Sequence, residues 1–186
     1  MENEDEKVKK FLSSFYCERD QDIQKFLQNR AIDFERLSKS RTYLIVDEEQ
    51  VKSPLVPFEE LVIYGYISLA VKVFNAPETI SNRQRQQLDG FSSKEHGKPI
   101  ANFPCYLIGQ LAKNSNVPKD SISGAELLNF AYDIIAISVD AVGGRNILIE
   151  CRNEPKLVKF YLENDFYEIS KMPDENQSMV QMIRRI

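Results

Sequence analysis

The sequence predicts a mixed α/β fold, a central sheet carrying helices on both faces. Short runs rich in β-branched and aromatic residues, Thr42-Tyr43-Leu44-Ile45-Val46 and the stretch from Leu61 to Phe74, read as strands. Two strand–loop–helix units follow one another, one over 105–135 and one over 146–166, and no internal repeat organises the chain. The resulting order, β, α, β, β, β, α, β, α, β, fits a mixed sheet.

Residues 1–10 are dense in charge and read as a leader, frayed or forming a first helical turn; Phe11 to Cys17 fits either a helix or a strand, with a strand over Ser13 to Cys17 the favoured reading. Asp20 or Asp22 caps the next segment, in which Ile23, Phe26, Leu27, Ile32, Phe34 and Leu37 are spaced for one or two helices ending near Lys39. A strand spans Thr42–Asp47. Glu48 to Glu60, with Pro54 and Pro57, reads as a connection. Leu61 to Phe74 is the longest strand-like run, and Gly65 marks a bulge or a close backbone approach within it. Ala76 to Asn102 is poorest in regular patterning, with a short helix over Ser81–Leu88; a connection of that length in a compact domain usually serves a function.

The central stretch opens with Cys105 to Lys113, an apolar strand, followed by the polar loop Asn114 to Ile122. Ser123 and Glu126 then form a capping box directly before Leu127, Leu128, Ala131, Ile134 and Ile135, the buried face of a helix. The second unit runs Asn146 to Asn153 as a strand, continues as a helix from Glu154, and ends at Phe166, which starts another strand. Met179 to Ile186 closes the sheet or trails off as a tail, after a turn at Pro173 to Asn176.

The length suits one domain over residues 1–186. No apolar run approaches the roughly 20 residues of a membrane span. The acidic start opposes a secretory or mitochondrial presequence, so the cytoplasm is the expected compartment. Cys17, Cys105 and Cys151 are odd in number, lie in apolar runs and lack metal-type spacing, which predicts buried free thiols rather than a disulfide framework or a zinc site. A net charge of −4 opposes broad attraction to nucleic acid. Arg83 and Arg85 with Lys94 and Lys98, or Arg184 with Arg185, form either a local basic patch or ordinary solvated charges.

Strand, loop and helix N-terminus together form an arrangement suited to phosphate, because unpaired amides and the positive end of the helix dipole converge there. Leu107-Ile108-Gly109-Gln110-Leu111-Ala112, the capped helix, and Asn153 with Phe160-Tyr161-Leu162-Glu163-Asn164-Asp165-Phe166 resemble the core of the GNAT superfamily of acetyl-CoA-dependent N-acetyltransferases. The last segment is similar to that family's Phe-Tyr-x-x-x-Gly-Phe ending. Upstream, Phe15-Tyr16-Cys17, Thr42 to Val46 and Gly65-Tyr66-Ile67-Ser68-Leu69 resemble the toxin branch, which acetylates aminoacyl-tRNA. The resemblance implies a mostly antiparallel sheet with a splayed parallel strand pair.

It also implies a set of roles. Lys119, Ser121, Ile122, Ser123, Gly124 and Ala125 occupy the pyrophosphate loop, of the form Gln/Arg-x-x-Gly-x-Gly/Ala in the family. Here only Gly124 remains of its glycines; Ile122 or Ser121 stands at the other, and Asp120 adds a negative charge. Leu111, Ala112 and Lys113 would offer backbone to the pantetheine arm, and Lys113 and Lys119 offset part of the Asp120 charge. Tyr161 would be the general acid that protonates the departing thiolate, its ordinary pKa near 10 being close to that of a thiol; packing in the core is its other reading. Asn153 would cap its helix and touch the coenzyme.

A general base is not evident. The strand Tyr106–Ala112 carries no carboxylate, Glu150 is a distant candidate, and the single histidine, His96, sits in a loop. No metal centre or covalent nucleophile is indicated, and direct transfer in a ternary complex is the implied mechanism. The function so implied is transfer of an acetyl group from acetyl-CoA to a primary amine on a small molecule, a peptide or aminoacyl-tRNA. Partners of that branch are an antitoxin protein and a second copy in a homodimer, with no membrane. The degraded glycine loop keeps an alternative open: a GNAT-fold binding or assembly module with weak or no coenzyme binding.

Overall fold

The computed structural model describes residues 4–171 and 179–186. In chain order the elements are α1 (Glu4–Ser13), α2 (Gln21–Asn29), α3 (Ala31–Arg36), β1 (Arg41–Val46), α4 (Glu48–Lys52), a 3-10 turn (Phe58–Glu60), β2 (Ile63–Asn75), α5 (Asn82–Asp89), β3 (Lys94–Glu95), β4 (Lys98–Pro99), β5 (Asn102–Lys113), α6 (Gly124–Val142), β6 (Asn146–Arg152), α7 (Pro155–Leu162), β7 (Tyr167–Lys171) and β8 (Met179–Arg185). Six strands form a mixed, mostly antiparallel sheet in the order β1-β2-β5-β6-β8-β7, and β3 and β4 make a separate hairpin. The parallel pair is β5 and β6. Two compact units divide the chain, Met1–Leu69 with Gln110–Tyr132 and Ala70–Gly109 with Asp133–Ile186.

In the first unit, the helical alternative holds for the start of the chain: α1 runs through Ser13, and the strand favoured over Ser13 to Cys17 does not form. Val8, Phe11, Leu12 and Phe15 follow the three- and four-residue spacing of one helical face, and Phe11, Leu12 and Phe15 are buried with Leu27, Ala31, Ile63, Tyr66 and Ala112. Phe15 to Cys17 belongs to no strand or helix. It is nonetheless hydrogen-bonded. The Ser115 N–H donates to Tyr16 O at 2.7 Å, and the Glu18 N–H to Ser115 Oγ at 3.0 Å.

Asn114, 5% exposed, joins that segment to the sheet. Its N–H donates to Tyr64 O at 2.9 Å and its Nδ2 to Ile63 O at 2.7 Å. Its Oδ1 accepts from the Tyr16 N–H at 3.2 Å and the Asn116 N–H at 3.0 Å. Both expectations at Gly65 hold together. The β1 register slips between Ile45↔Gly65 and Val46↔Ile63, and a β-carbon on Gly65 would meet Ala112 O at 2.8 Å. Asp20, rather than Asp22, caps α2 through its Oδ1. The connection from Glu48 to Glu60 contains α4, which Asp47 caps by accepting from the N–H groups of Glu49 and Gln50.

In the second unit, Ile147, Leu148 and Ile149 are all buried, the pattern of a strand covered on both faces. The segment 76–102 is better ordered than its composition suggests. Ser81 and Gln84 form a capping box on α5, and Gly90 ends it in the left-handed conformation at φ 91°. Arg85, 5% exposed, donates from Nη1 to Ile100 O at 2.5 Å and from Nη2 to Pro77 O at 2.9 Å, closing the segment on itself. Ile80 and Leu88 pack with Phe74, Phe103, Cys105 and Leu148. β8 closes the sheet by pairing antiparallel with both β6 and β7. The turn expected at Pro173 to Asn176 lies outside the described residues.

Replacing Asn114 with Ala leaves the Ile63 carbonyl without its partner in a buried place and the part-buried Tyr16 N–H without its acceptor, so it lowers unfolding free energy by about 1–3 kcal/mol. Urea unfolding with an unchanged m-value checks this. A loss below about 0.5 kcal/mol, the range of ordinary surface substitutions, would mean water replaces the carboxamide.

Candidate functional site

The head of α6 is built by its cap. Ser123 Oγ accepts from the Glu126 N–H at 3.1 Å, and Glu126 Oε2 accepts from the Ser123 N–H at 2.7 Å. The Leu127 N–H donates to Ser123 O at 3.2 Å, and the Ser121 N–H to Pro118 O at 3.1 Å. Three amides of the stretch, those of Ile122, Gly124 and Ala125, have no acceptor among the described residues. They are the orphan donors that a helix start offers to an anion.

The bulky residue of the loop does not block them from the side of its own chain. Ile122 is 5% exposed and its side chain belongs to the interior, whereas Ser121, Ser123 and Ala125 are exposed. Lys113 Nζ donates to the Lys119 carbonyl oxygen, which holds an ammonium against the loop. The two bonds from Ser123 hold the Glu126 carboxyl below the ordinary glutamate range, and the nearby Lys113 charge adds to this. Lys119 and Asp120 are both exposed, and Asp120 forms no ion pair among the described residues. On the strand before the loop, Ala112 is buried while Leu111 and Lys113 are half-buried.

The second unit holds the other expected residues. Tyr161 on α7 is 6% exposed, its ring tilted edge-on to Phe160 at 5.1 Å and Phe166 at 5.6 Å. Its carbonyl accepts from the N–H groups of Asn164 and Phe166. Asp165, which stands where the resembled motif has glycine, adopts φ 67°, a left-handed conformation. Asn153 is not the cap of α7. Glu154 holds that position, makes no side-chain cap bond, and is followed by Pro155 in the first turn, where a missing N–H costs nothing.

The parallel ladder of β5 and β6 consists of Tyr106↔Ile147, Leu107↔Leu148 and Ile108↔Ile149, and β5 continues to Lys113 beyond it. Glu150, the next residue of β6, is engaged on both oxygens. Lys72 Nζ donates to them at 2.7 and 2.6 Å, and Gln181 Nε2 donates to Oε1 at 2.8 Å. Ser170 Oγ in turn donates to Gln181 Oε1 at 2.5 Å. A carboxylate so committed does not serve as a free base.

The basic cluster expected around 83–98 is smaller than the sequence suggests, because Arg85 is interior while Arg83, Lys94 and Lys98 remain exposed. His96 is exposed at the β3–β4 turn with φ 47°. The three cysteines are buried and free, though Cys17 lies outside any strand. Among the described residues, no group of three or more His, Cys, Asp or Glu is placed to hold a metal, and no helix is long and apolar enough to cross a membrane. Sequence reading missed Asn114, whose four bonds span distant segments, and the Lys72–Glu150 pair. Only the polar character of Asn114 at a strand end could have signalled it.

The fold is that of the toxin-type GNAT N-acetyltransferases. A tyrosine-to-phenylalanine variant of KacT matches with a TM-score of 0.65 and 20% identity over 91% of this chain and 85% of that one. AtaT complexed with acetyl-methionyl-tRNAfMet matches with a TM-score of 0.64 and 20% identity over 91% and 85%. AtaTR bound with AcCoA matches at 0.63 and 22% identity over 91% and 84%. No protein-family model matches the sequence, and no curated protein matches it.

Burial pushes the thiols of Cys105 and Cys151 up to about 11 from 9.0. A raised folded pKa gives stability that is complete below the unfolded value and is lost as pH rises toward the folded one, so both thiols weaken the native state between pH about 9 and about 11. In native protein at pH ~8, Ellman's reagent should leave all three thiols unmodified until denaturant is added. Prompt native reaction at Cys105 or Cys151 would contradict their burial.

Proposed function

We propose that residues 1–186 act as one N-acetyltransferase domain that moves an acetyl group from acetyl-CoA to a primary amine, the amino group of aminoacyl-tRNA being the leading acceptor. The observation that carries the reading is the set of unpartnered amides on Ile122, Gly124 and Ala125 at the head of α6. Similarity in fold to AtaT, seen with acetyl-methionyl-tRNAfMet, and to AtaTR, seen with AcCoA, supports the same direction. A toxin of this kind works against an antitoxin, and the cytoplasm is its place of action.

In this reading the backbone from Ile122 to Ala125 binds the diphosphate, with Lys113 and Lys119 supplying positive charge and Ser123 serving the helix as its cap. Leu111, Ala112 and Lys113 offer main-chain groups to the pantetheine arm, and Asn153 is an exposed polar neighbour of α7. The neutral acceptor amine attacks the thioester carbonyl carbon, forming the C–N bond as the C–S bond breaks. Tyr161 gives its phenolic proton to the departing thiolate, and the proton shed by the amine passes to water, because Glu150 is already engaged. For tRNA, the exposed cations Arg83, Lys94 and Lys98 are the phosphate contacts.

The burial of Tyr161 between two phenylalanines favours a second reading, a GNAT-fold module that binds or assembles without turnover. Two experiments separate them. Acetyl-CoA at 100 times its dissociation constant adds about 2.7 kcal/mol to stability, a shift of several degrees in thermal melting, and Asp120→Gly tightens binding by roughly tenfold by removing a charge from the loop. A melt unmoved by acetyl-CoA in both proteins would end the transferase reading. Tyr161→Phe should lower acetylation of charged tRNA or a model amine by about 100-fold while leaving coenzyme affinity unchanged, since only the proton donor is lost. An unaltered rate would return Tyr161 to the core.

A further inference from the structure

The two basic stretches of the sequence, 83–98 and Arg184-Arg185, come together within the second unit. Asn146, 2% exposed, donates from Nδ2 to Leu88 O at 3.1 Å, which ties the start of β6 to the end of α5. Asn146 is also in register with Arg185 of β8, and the Ile186 N–H donates to Arg145 O at 2.8 Å. Arg145 therefore stands where α5, β6 and β8 meet. A β-carbon on Gly90 would meet its guanidinium carbon at 2.4 Å, so that group lies against the peptide leading into Phe91. Arg145 and Arg185 are exposed, and neither forms an ion pair among the described residues.

Phe91, 89% exposed, stands at the same junction on a main chain fixed from both sides. Asp89 Oδ2 accepts from the Phe91 N–H at 3.1 Å and the Ser92 N–H at 2.8 Å, and Gln86 Nε2 donates to Phe91 O at 3.4 Å. Further on, Ser92 Oγ donates to Lys94 O at 2.8 Å, and the Ile100 N–H donates to Ser93 O at 3.0 Å. One apolar side chain in water is ordinary, but one mounted this firmly meets a ligand with little further ordering to do. Among the described residues, Phe91 is the one large apolar side chain exposed in segment 76–102, so the segment lacks the cluster that forms the dry centre of a protein interface. Its surroundings are basic. Asp89 is engaged by two amides, and Glu95, in register with Lys98 across the hairpin, leaves Lys94 and Arg83 uncompensated. An aromatic face among free cations matches an unpaired nucleotide, which presents a π face and a phosphate together.

We infer that Phe91 and Arg145 form a platform for an unpaired base of RNA, the ring stacking on the base while Arg145, Arg185 and Lys94 contact the adjoining phosphates. Stacking accepts any base, and the phosphate contacts make the binding salt-dependent. The identity of the RNA rests on the proposed acceptor, aminoacyl-tRNA, whose amino acid is carried on an unpaired 3′ end. Cations alone attract paired and unpaired RNA alike; the Phe91 ring adds a preference for the unpaired end, because bases inside a duplex are already stacked on one another.

Fluorescence anisotropy without acetyl-CoA tests the platform, with a labelled RNA hairpin bearing a short single-stranded 3′ tail and the same hairpin ending blunt. The tail should tighten binding about tenfold. Phe91→Leu should abolish that gain and leave the blunt hairpin's affinity and the melting temperature unchanged, whereas Phe91→Tyr should keep it. Arg145→Gln should weaken both RNAs and reduce the slope of log affinity against log salt by about one. The chain has no tryptophan, so Phe91→Trp places a single emitter at the platform, and its fluorescence should fall when the tailed hairpin is added. Equal affinity for the two hairpins, a Phe91→Leu protein that still prefers the tail, an unchanged salt slope in Arg145→Gln, or tryptophan emission unmoved by the tailed RNA would each overturn the inference. No acetyl group moves in this assay. A protein that acetylates an amine yet ignores the tail refutes the platform alone, and one that prefers the tail yet never acetylates refutes the transferase reading alone.

Discussion

The carboxamide of Asn114 is the constraint on which the first unit depends. A side chain that donates to Ile63 O while accepting from the Tyr16 and Asn116 N–H groups must carry both polarities within one short planar group. Leucine has neither and aspartate lacks the donor. Through those bonds the end of β5 is held to β2, the exit of α1 is held to both, and the loop that leads to α6 leaves from a fixed point. The same segments carry the aromatic core, in which Phe15 lies edge-on to Tyr66 at 5.1 Å.

The loop before α6 distributes its amides in two ways. The capping box consumes those of Ser123 and Glu126, which stabilises the helix, and leaves those of Ile122, Gly124 and Ala125 unused. Glycine is usual in such a place because a missing β-carbon lets backbone approach an anion. Rotating the Ile122 side chain into the interior achieves part of the same clearance and adds buried apolar area. The same substitution of means is visible at Asp165, where a left-handed turn is made without glycine.

Most local structure was legible because its cause is local. Ser123 and Glu126, Ser81 and Gln84, Gly65, and the β-branched run of β6 each announce themselves within a few residues. α1 was legible only as a first turn or one of two alternatives, because the charges of residues 2–10 hide the spacing of Val8, Phe11, Leu12 and Phe15, and the strand favoured over Ser13 to Cys17 failed because that stretch has strand-like composition without a regular ladder. Arg85 looked like a surface cation since nothing in its neighbourhood in sequence shows that Pro77 and Ile100 present it with carbonyls. Asn153 was assigned the cap one residue early, where Pro155 fixes the helix start behind it. Lys72 and Glu150 are 78 positions apart, and only the sheet order brings them together.

The segment 76–102 is fastened at its base, where Arg85 ties both ends and Ile80 and Leu88 contribute to the core. Phe91, Lys94, His96 and Lys98 on its outer part carry none of that load. Mutation can therefore rewrite the outer part from one lineage to another without unfolding its base. Such a segment lets an ancestral scaffold try new recognition surfaces while its interior stays as inherited.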